Sequence, residues 1–512
     1  MLIKASKSGP FGIAIIPAAL SLVGLSLASG TQAAPFYFSP GPNQTYGSVT
    51  QSQRIASGSH NPASPIASHN GRAGTGDGDL AVRSSAMLAV GVGIEYGSVN
   101  DLFGLIDRTS DSLDSPSSGG STGGSTGGSG STPDSPDATP LKDALKTLIS
   151  NNPDVESAFT AVVDKVATLG GSLLLIASKG YGKAFATVDA PISVNTETLG
   201  GVVQFNASVA ATSKVAGIAD PIQLDLDNLR SQLEAVTQLS ASSGLTEFQL
   251  GKNTVLRVDP SNQDIDLDFN NDSLLITKAA KLEEYSVGYS RSIYEADSGE
   301  LYLGLKPKYL RAGLTRVGVR FGDITDSESL FDDIKNAEFR YSERFSMDIG
   351  ALWVSDHYQA GASVVNINQP RFSFPAIDTG NISNPEILRR IQEDATYEMS
   401  RQFKLEGGVF TKDRTWTLNM ALDANAAPDP MGDDYQWVSV SGGYASDSWW
   451  LPGVRTGLHH NLAGTELSYL SAGVTLFKYL DVDVSTALET VEIDGEDLPR
   501  GLNLSIGLGV EF

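Results

Sequence analysis

The 512-residue sequence contains no cysteine. That excludes disulfides, thiolate nucleophiles, Cys-ligated zinc and CxxC redox chemistry. Positive charge is scarce: 36 Lys and Arg face 60 Asp and Glu, for a net charge of −24. Neutralising phosphates takes a surplus of Lys and Arg, so nucleic acid is not an expected partner. Long apolar runs are also missing. Beyond residue 33, no stretch reads as the ~20 apolar residues a helix needs to span a bilayer. A membrane role for the mature chain therefore implies a barrel or a peripheral protein. The hydrophobic share of 40% is ordinary for a folded protein, which argues against disorder throughout.

The first segment reads as an address. Lys4 and Lys7 form a basic start, Phe11 to Leu27 an apolar stretch, and Ala28 to Ala34 a small-residue end. This is the three-part pattern of a secretory signal spanning residues 1–33, with cleavage expected near Ala33. It directs the chain through the inner membrane.

Residues 34–83 are rich in Ser, Gly, Asn and Pro and read as a plug-like segment. Residues 84–512 are assigned to the barrel. Within them, residues 115–140 form a low-complexity linker. Helical spacing appears in Leu141–Leu148, Val155–Leu169 and Ile222–Leu239, giving expected helical insertions at 141–169 and 222–243. Asn384 and Pro385 open a further short helix through Ile391.

From about residue 284 the period changes to two. Phe345, Met347, Ile349, Ala351 and Trp353 alternate with Ser346, Asp348 and Gly350; Trp416, Leu418 and Met420 alternate with Thr417 and Asn419. A sandwich core gives the same alternation, but many segments run 10–13 residues. Soluble strands average ~5–6, and a tilted bilayer crossing takes ~9–11. Tyr444, Trp449, Trp450, Phe477 and Tyr479 fall near strand ends, as an aromatic girdle would. Leu502, Leu504, Ile506, Leu508 and Val510 share one face of the last segment, which ends on Phe512 and resembles the assembly signal of outer-membrane barrels. The expected fold is mainly β: an outer-membrane antiparallel barrel of about 14 strands, with a plug-like segment and helical insertions. The candidate strands are 85–97, 171–178, 198–211, 284–294, 300–320, 344–355, 358–366, 397–411, 413–425, 434–446, 449–460, 466–477, 479–488 and 501–512.

Candidates for chemistry are few. His459 and His460 are adjacent on a strand and point to opposite faces, so they cannot share one metal, and no nucleophile signature accompanies them. Asp264, Asp266, Asp268 and Asp272 lie at even spacing, but Phe269 and Leu275 break an EF-hand loop, leaving a solvated strand face. Glu283-Glu284, Asp332-Asp333 and Asp433-Asp434 read as loop charges. The glycines of 119–130 lack the Lys-Ser/Thr of a phosphate loop. Arg316 and Arg320 share a strand face and could line a lumen. Asn61, Pro62 and Ala63 could position the plug, with a plain proline turn as the alternative. No catalytic residue, metal site or cofactor is expected, and the chain does not read as an enzyme.

An ordered series of segments carries a resemblance: Asn61-Pro62-Ala63-Ser64, Glu284 to Arg291, Leu303 to Tyr309, Met347 to Gly350, Leu418 to Asp423 and Val454 to Leu462. Taken together, it resembles the TraF-type family of plasmid-transfer-operon outer-membrane proteins, within the wider group of fatty-acid-transporter-like barrels. The resemblance implies a bacterial outer-membrane barrel accessory to conjugative transfer or envelope assembly. The implied partners are outer-membrane lipid, the barrel assembly machinery and proteins of the conjugation apparatus. The wider group implies instead a channel for uptake of small hydrophobic molecules. A secreted soluble β-rich binding protein is the further alternative.

Overall fold

The computed structural model describes residues 39–51, 60–73, 84–114, 139–149, 154–239, 243–261, 264–324, 337–380, 382–446, 448–493 and 495–511. The expected signal over residues 1–33, Asp332-Asp333, Gly119–Gly130 and Phe512 lie outside the described residues.

Fourteen antiparallel strands close into one barrel. They are β1 (Ser85–Tyr96), β2 (Tyr181–Thr196), β3 (Gly201–Ile218), β4 (Leu274–Ala296), β5 (Gly299–Arg320), β6 (Arg340–Val354) and β7 (Tyr358–Val365). The circuit continues through β8 (Gln402–Phe410), β9 (Trp416–Asp423), β10 (Trp437–Tyr444), β11 (Gly453–Asn461), β12 (Ser468–Leu476), β13 (Leu480–Ala487) and β14 (Gly501–Glu511). Each strand pairs with its sequence neighbour, and β14 closes on β1 from Ser85↔Glu511 to Glu95↔Gly501. The 14-strand count stands, but one expected member does not. Residues 171–178 are the end of a helix, and the missed strand is β2. Leu173 to Ile176 read as a buried strand because a short apolar run has no periodicity to separate the two states.

The sense of the alternation decides between barrel and sandwich. Leu502, Leu504, Ile506 and Leu508 are 43–52% exposed, whereas Asn503 and Ser505 are buried. Apolar side chains face outward and polar ones inward, the reverse of a sandwich core. Aromatic rings bound the apolar belt. Tyr285, Tyr309 and Phe345 stand in line near one rim, with centroids 6.2 and 5.5 Å apart. At the other rim stand Tyr294 with Trp353, Trp416 with Tyr444, and Trp449 with Phe477 and Tyr479. On β5 the belt runs from Leu301 to Tyr309, close to the ~9–11 residues of a tilted crossing.

This assignment makes a direct prediction on strand β9. Leu418 is 56% exposed and Asn419 is 3% exposed. In single-cysteine variants of this cysteine-free chain, an apolar photoreactive probe in the membrane phase should label position 418 and not 419. Equal labelling at both positions would overturn the face assignment.

The two ends of the barrel differ. Residues 197–200, 297–298, 355–357, 411–415 and 477–479 are tight turns at the end where β1 begins and β14 finishes. The opposite end carries the long connections 97–180, 219–273, 366–401 and 424–436. In outer-membrane barrels the short turns face the periplasm.

The first two long connections build an α/β subdomain at that opposite end. The plug contributes α1 (Asn43–Tyr46) and α2 (Ser64–Ala73), and α3 (Leu102–Asp114) follows β1. Then come α4 (Thr139–Ile149), α5 (Val155–Lys179) and α6 (Leu226–Val236), with a three-stranded sheet of Thr246–Gln249, Thr254–Asp259 and Asp264–Phe269. Asp154 caps α5 by accepting from Ser157 N at 3.1 Å, and Asp225 caps α6 by accepting from Asn228 N at 3.1 Å. Leu148, Val162, Leu169, Leu233, Leu256 and Phe269 belong to one buried core that these elements share. Helix α5 corrects the expectation that no later segment is long and apolar enough to span a membrane, since by length and composition it is. Gly170 and Gly171 interrupt the apolar run on paper. In the fold the helix continues through them, packing Val162 and Leu169 into the subdomain and Leu173 and Ile176 against the barrel rim.

Candidate functional site

Fourteen strands enclose more space than wall side chains alone can fill, and the N-terminal segment occupies it. Residues 39–51 and 60–68 lie inside the barrel, bonded to inward groups of many strands. Thr45 Oγ1 donates to Asp483 Oδ1 at 2.6 Å, Gln44 Nε2 to Asn503 O at 3.2 Å, and Gly41 N to Ser505 Oγ at 3.0 Å. His459 faces the lumen and its Nε2 lies 3.0 Å from Thr45 O, whereas His460 faces outward beside Ser468 Oγ at 3.1 Å. The wall is cut back to admit the plug. A Cβ on Gly457 would collide with Thr45 O, and one on Gly304 with Pro62 O. These glycines serve close approach of two backbones.

The Asn61-Pro62-Ala63 turn fastens the plug to one carboxylate. Asn61 Nδ2 donates to Glu406 Oε1 at 2.6 Å and to Ala351 O at 3.2 Å, while Asn61 Oδ1 accepts from Ala63 N at 3.0 Å. Thr50 donates to Glu406 through its backbone N at 2.5 Å and its hydroxyl at 3.0 Å. Glu406 on β8 thus holds both halves of the plug. Sequence reading placed the turn but missed Glu406, since a lone acid in a strand looks like any other.

Above the plug lies a cavity of about 180 Å³. Its wall on β4, β5 and β6 is charged. Lys308 Nζ sits 2.8 Å from Asp348 and 2.7 Å from Asn366 Oδ1; Lys306 Nζ sits 3.3 Å from Asp348 and 3.4 Å from Glu284. Lys306 and Lys308 alternate along β5 and Asp348 on β6 stands opposite Lys306, so the three share the inward face. Their parity was readable in the sequence, but the side of the sheet was not. Among the plug residues, His60 lines the cavity. Burial of its ring, with Lys404 and Lys306 nearby, pushes the His60 imidazole down to about 3, so it is neutral at physiological pH. The roof is more apolar. Leu282, Tyr397 and Met399 face the cavity and join a buried cluster with Leu310, Phe372 and Met431.

The connection between β9 and β10 folds inward and is locked by charge. Lys183 Nζ lies 2.6 Å from both Asp429 Oδ2 and Asp433 Oδ2, and 2.9 Å from Tyr435 Oη. Lys214 also pairs with Asp433. Asp433 is a loop charge, as expected, but a half-buried one held by two lysines. The loop-charge expectation fails at Glu283 and Glu284, which lie within β4 and are buried. Glu284 faces the cavity; Glu283 pairs with Arg311 at 3.2 Å. In both places fixed cations draw the acids out of water.

Arg316 and Arg320 stand on the same face of β5 but outside the cavity lining. Arg316 donates to Pro375 O at 2.7 Å and Ile391 O at 2.8 Å; Arg320 donates to Asn271 O at 3.0 Å. Arg316 thus holds the 366–401 connection over the barrel mouth, and Arg320 holds the end of the 219–273 connection. Asp272 serves the same end, accepting from Ser383 N and Asn384 N at 2.8 and 2.7 Å beside the cap of helix α7 (Pro385–Glu393). The solvated-face reading therefore does not extend to Asp272. Asp268, on the outlying sheet, pairs with Arg257 at 2.8 Å.

Comparison with known proteins places the chain. The family model described as "F plasmid transfer operon, TraF, protein" matches residues 59–423. The chain belongs to this TraF family. The match begins just before Asn61 and ends on Asp423, so it takes in the plug turn, the charged wall of β4–β6 and the subdomain. No curated protein matches. Among solved structures, a deletion mutant of the monoaromatic hydrocarbon channel TodX aligns at 8% identity and TM-score 0.36, covering 93% of this chain and 98% of that one. A Pseudomonas aeruginosa FadL homologue aligns at 12% identity and TM-score 0.31, covering 94% and 99%. A porin of Rh. blastica aligns at 11% identity and TM-score 0.22, covering 64% and 92%.

Proposed function

We propose that this TraF-family chain is a plug-gated channel of the bacterial outer membrane, exported with a cleaved signal over residues 1–33. The observation that carries this reading is the plug. It closes a lumen below a cavity through hydrogen bonds to the wall, with no disulfide pinning it there. Such contacts are individually worth ~1 kcal/mol and can be exchanged for water. The outward apolar belt supports contact with outer-membrane lipid, and the same reading makes Phe512 a signal to the barrel assembly machinery. Small molecules cross by way of the cavity when the plug shifts. The apolar roof would suit hydrophobic cargo at the entrance, but the buried charges of the wall favour solutes with polar groups. No step of this reading calls for catalysis.

Conductance in planar bilayers tests the proposal. The intact chain should be nearly closed, and a variant lacking residues 39–68 should conduct steadily. A plug-less barrel that folds and stays closed would refute the channel reading.

A second reading draws on the family description and the α/β subdomain. That unit has its own core and sits on the long-loop end, where it could meet proteins of a conjugation apparatus. Loss of plasmid transfer on deleting the gene, with retention on blocking conductance alone, would favour this role.

A further inference from the structure

The inward faces of β2 to β5 carry a line of cations near the mouth. Register sets Lys183 opposite Lys214, Lys214 opposite Lys278, and Lys278 opposite Arg316. Opposed residues in a sheet stand ~5 Å apart, and like charges so placed destabilise it. On the β1 side the line is bounded by Glu95, opposite Lys183, which accepts from the hydroxyls of Tyr181 and Tyr469 at 2.7 and 2.9 Å. The other carboxylates paired with the line come from connections rather than from the wall. Asp429 and Asp433 on the 424–436 connection take Lys183 and Lys214, and Asp394 on the 366–401 connection takes Lys278. Four cations thus meet four acids, three of which the wall itself does not supply.

The 424–436 connection presents its two acids as a unit. Ala427 pairs with Tyr435 and Pro428 with Asp434. Asp429 N donates to Asp433 O at 2.9 Å, and Asp433 N to Asp429 Oδ1 at 2.8 Å. Gly432, at φ 93°, makes the turn that brings the two together. The carboxylates therefore flank one ammonium. Each places an oxygen 2.6 Å from Lys183 Nζ, and the second oxygen of Asp433 meets Lys214. Asp429 and Tyr435 also line the cavity, so the connection stands between the cavity and the cation line. With it lifted, the four cations retain Glu95 and Asp394, and their surplus positive charge attracts anions.

We propose that the 424–436 connection is an autoinhibitory strap lying in a dianion site, and that the solute of this site is a small dicarboxylate. The proposal rests on the channel reading and names a solute class for its mouth. The two carboxylates of the ligand take the places of Asp429 and Asp433 around Lys183, and one of them reaches Lys214. The strap, repelled by the ligand's charge, swings off and uncovers the cavity. A single carboxylate leaves half of the arrangement unfilled, so a monoanion competes poorly with the strap.

Two measurements on the full chain in detergent test this separately from conductance. In the double variant Asp429→Asn with Asp433→Asn the strap's charges no longer fill the site. Calorimetry should show disodium succinate binding it about tenfold more tightly, or better, than it binds the unaltered chain. Sodium acetate should bind the variant about tenfold more weakly than succinate, the loss expected with a hydrogen bond to a charged group. Adding Lys183→Met should abolish the succinate signal. Heat-modifiability on a gel establishes that each protein tested is folded. The second measurement leaves both acids in place and decides alone if the double variant does not fold. Met431 lies on the strap and is 4% exposed. In Met431→Cys, made in this cysteine-free chain, position 431 should react slowly with a water-soluble thiol reagent and several-fold faster in succinate. Sodium chloride at matched ionic strength controls for screening. The proposal would be overturned by a folded double variant that binds no succinate, by equal binding of acetate, by unchanged binding after Lys183→Met, or by labelling no faster in succinate than in sodium chloride. A chain that binds succinate but never conducts without its plug would keep the site and lose the channel. A chain that conducts while its folded double variant binds no succinate would do the reverse.

Discussion

Replacing Lys183 by methionine should destabilise the folded barrel by about 3–5 kcal/mol, the cost of removing one partner from a buried ion pair. Lys183 and Asp429 are essentially sealed from solvent, with side chains 0% and 1% exposed. Lys214 still compensates Asp433, but buried Asp429 loses the cation 2.6 Å from its carboxylate. The result should be read from chemical unfolding in detergent followed by the heat-modifiable gel shift. The double variant Lys183→Met with Asp429→Asn should recover part of the loss, because it removes the stranded charge as well. A single-variant effect below about 1 kcal/mol would show that the lumen there is wet. The pH dependence has a definite sign. Burial opposes ionisation of Asp433, but Lys183 and Lys214 outweigh it and hold the carboxyl well below the usual carboxylate range. A depressed folded value means that the stabilisation is complete above about pH 4 and is lost as pH falls below it. The 424–436 connection should therefore stay docked at neutral pH and loosen only in acid.

The second large effect is expected on the outer face. Leu458 on β11 is 55% exposed and lies between Val440 on β10 and Leu470 on β12. An arginine near the bilayer midplane costs roughly 2–4 kcal/mol on that face. Leu458→Arg should reduce folding into lipid vesicles by that amount, while Leu458→Phe should be nearly neutral. In a soluble protein, by contrast, an arginine at a half-exposed surface position changes stability by only about 0.5 kcal/mol. An effect that small would remove the lipid assignment from this part of the barrel.

The residues themselves dictated a good deal. Alternation in β6, β9 and β12 through β14 needs only period two, and it survived because each strand pairs with its neighbour in sequence. Cysteine absence, the low-complexity tract and the Asn384-Pro385 helix start are local, and local chemistry is what a sequence prints. The 171–178 segment shows the limit. A run of leucines between Gly171 and Lys179 carries no period, and the helix state was chosen by what Leu173 and Ile176 pack against.

The tertiary structure alone decided the inside. Alternation says that Lys306, Lys308 and Asp348 share a face, but only closure of the sheet says that the face is a lumen. Glu406 became the plug's anchor, and Lys183 the partner of Asp429, across 345 and 246 residues of chain respectively. Arg316 and Arg320 share a face, but the 366–401 connection engages the first and the end of the 219–273 connection the second, outside the cavity lining. The Asp189–Ser208–Glu284 row exists only through the register of three strands, the last of them reached through the long 219–273 connection. Strand state follows from neighbours a few residues away, whereas a site depends on which distant strands meet and on what fills the space between them.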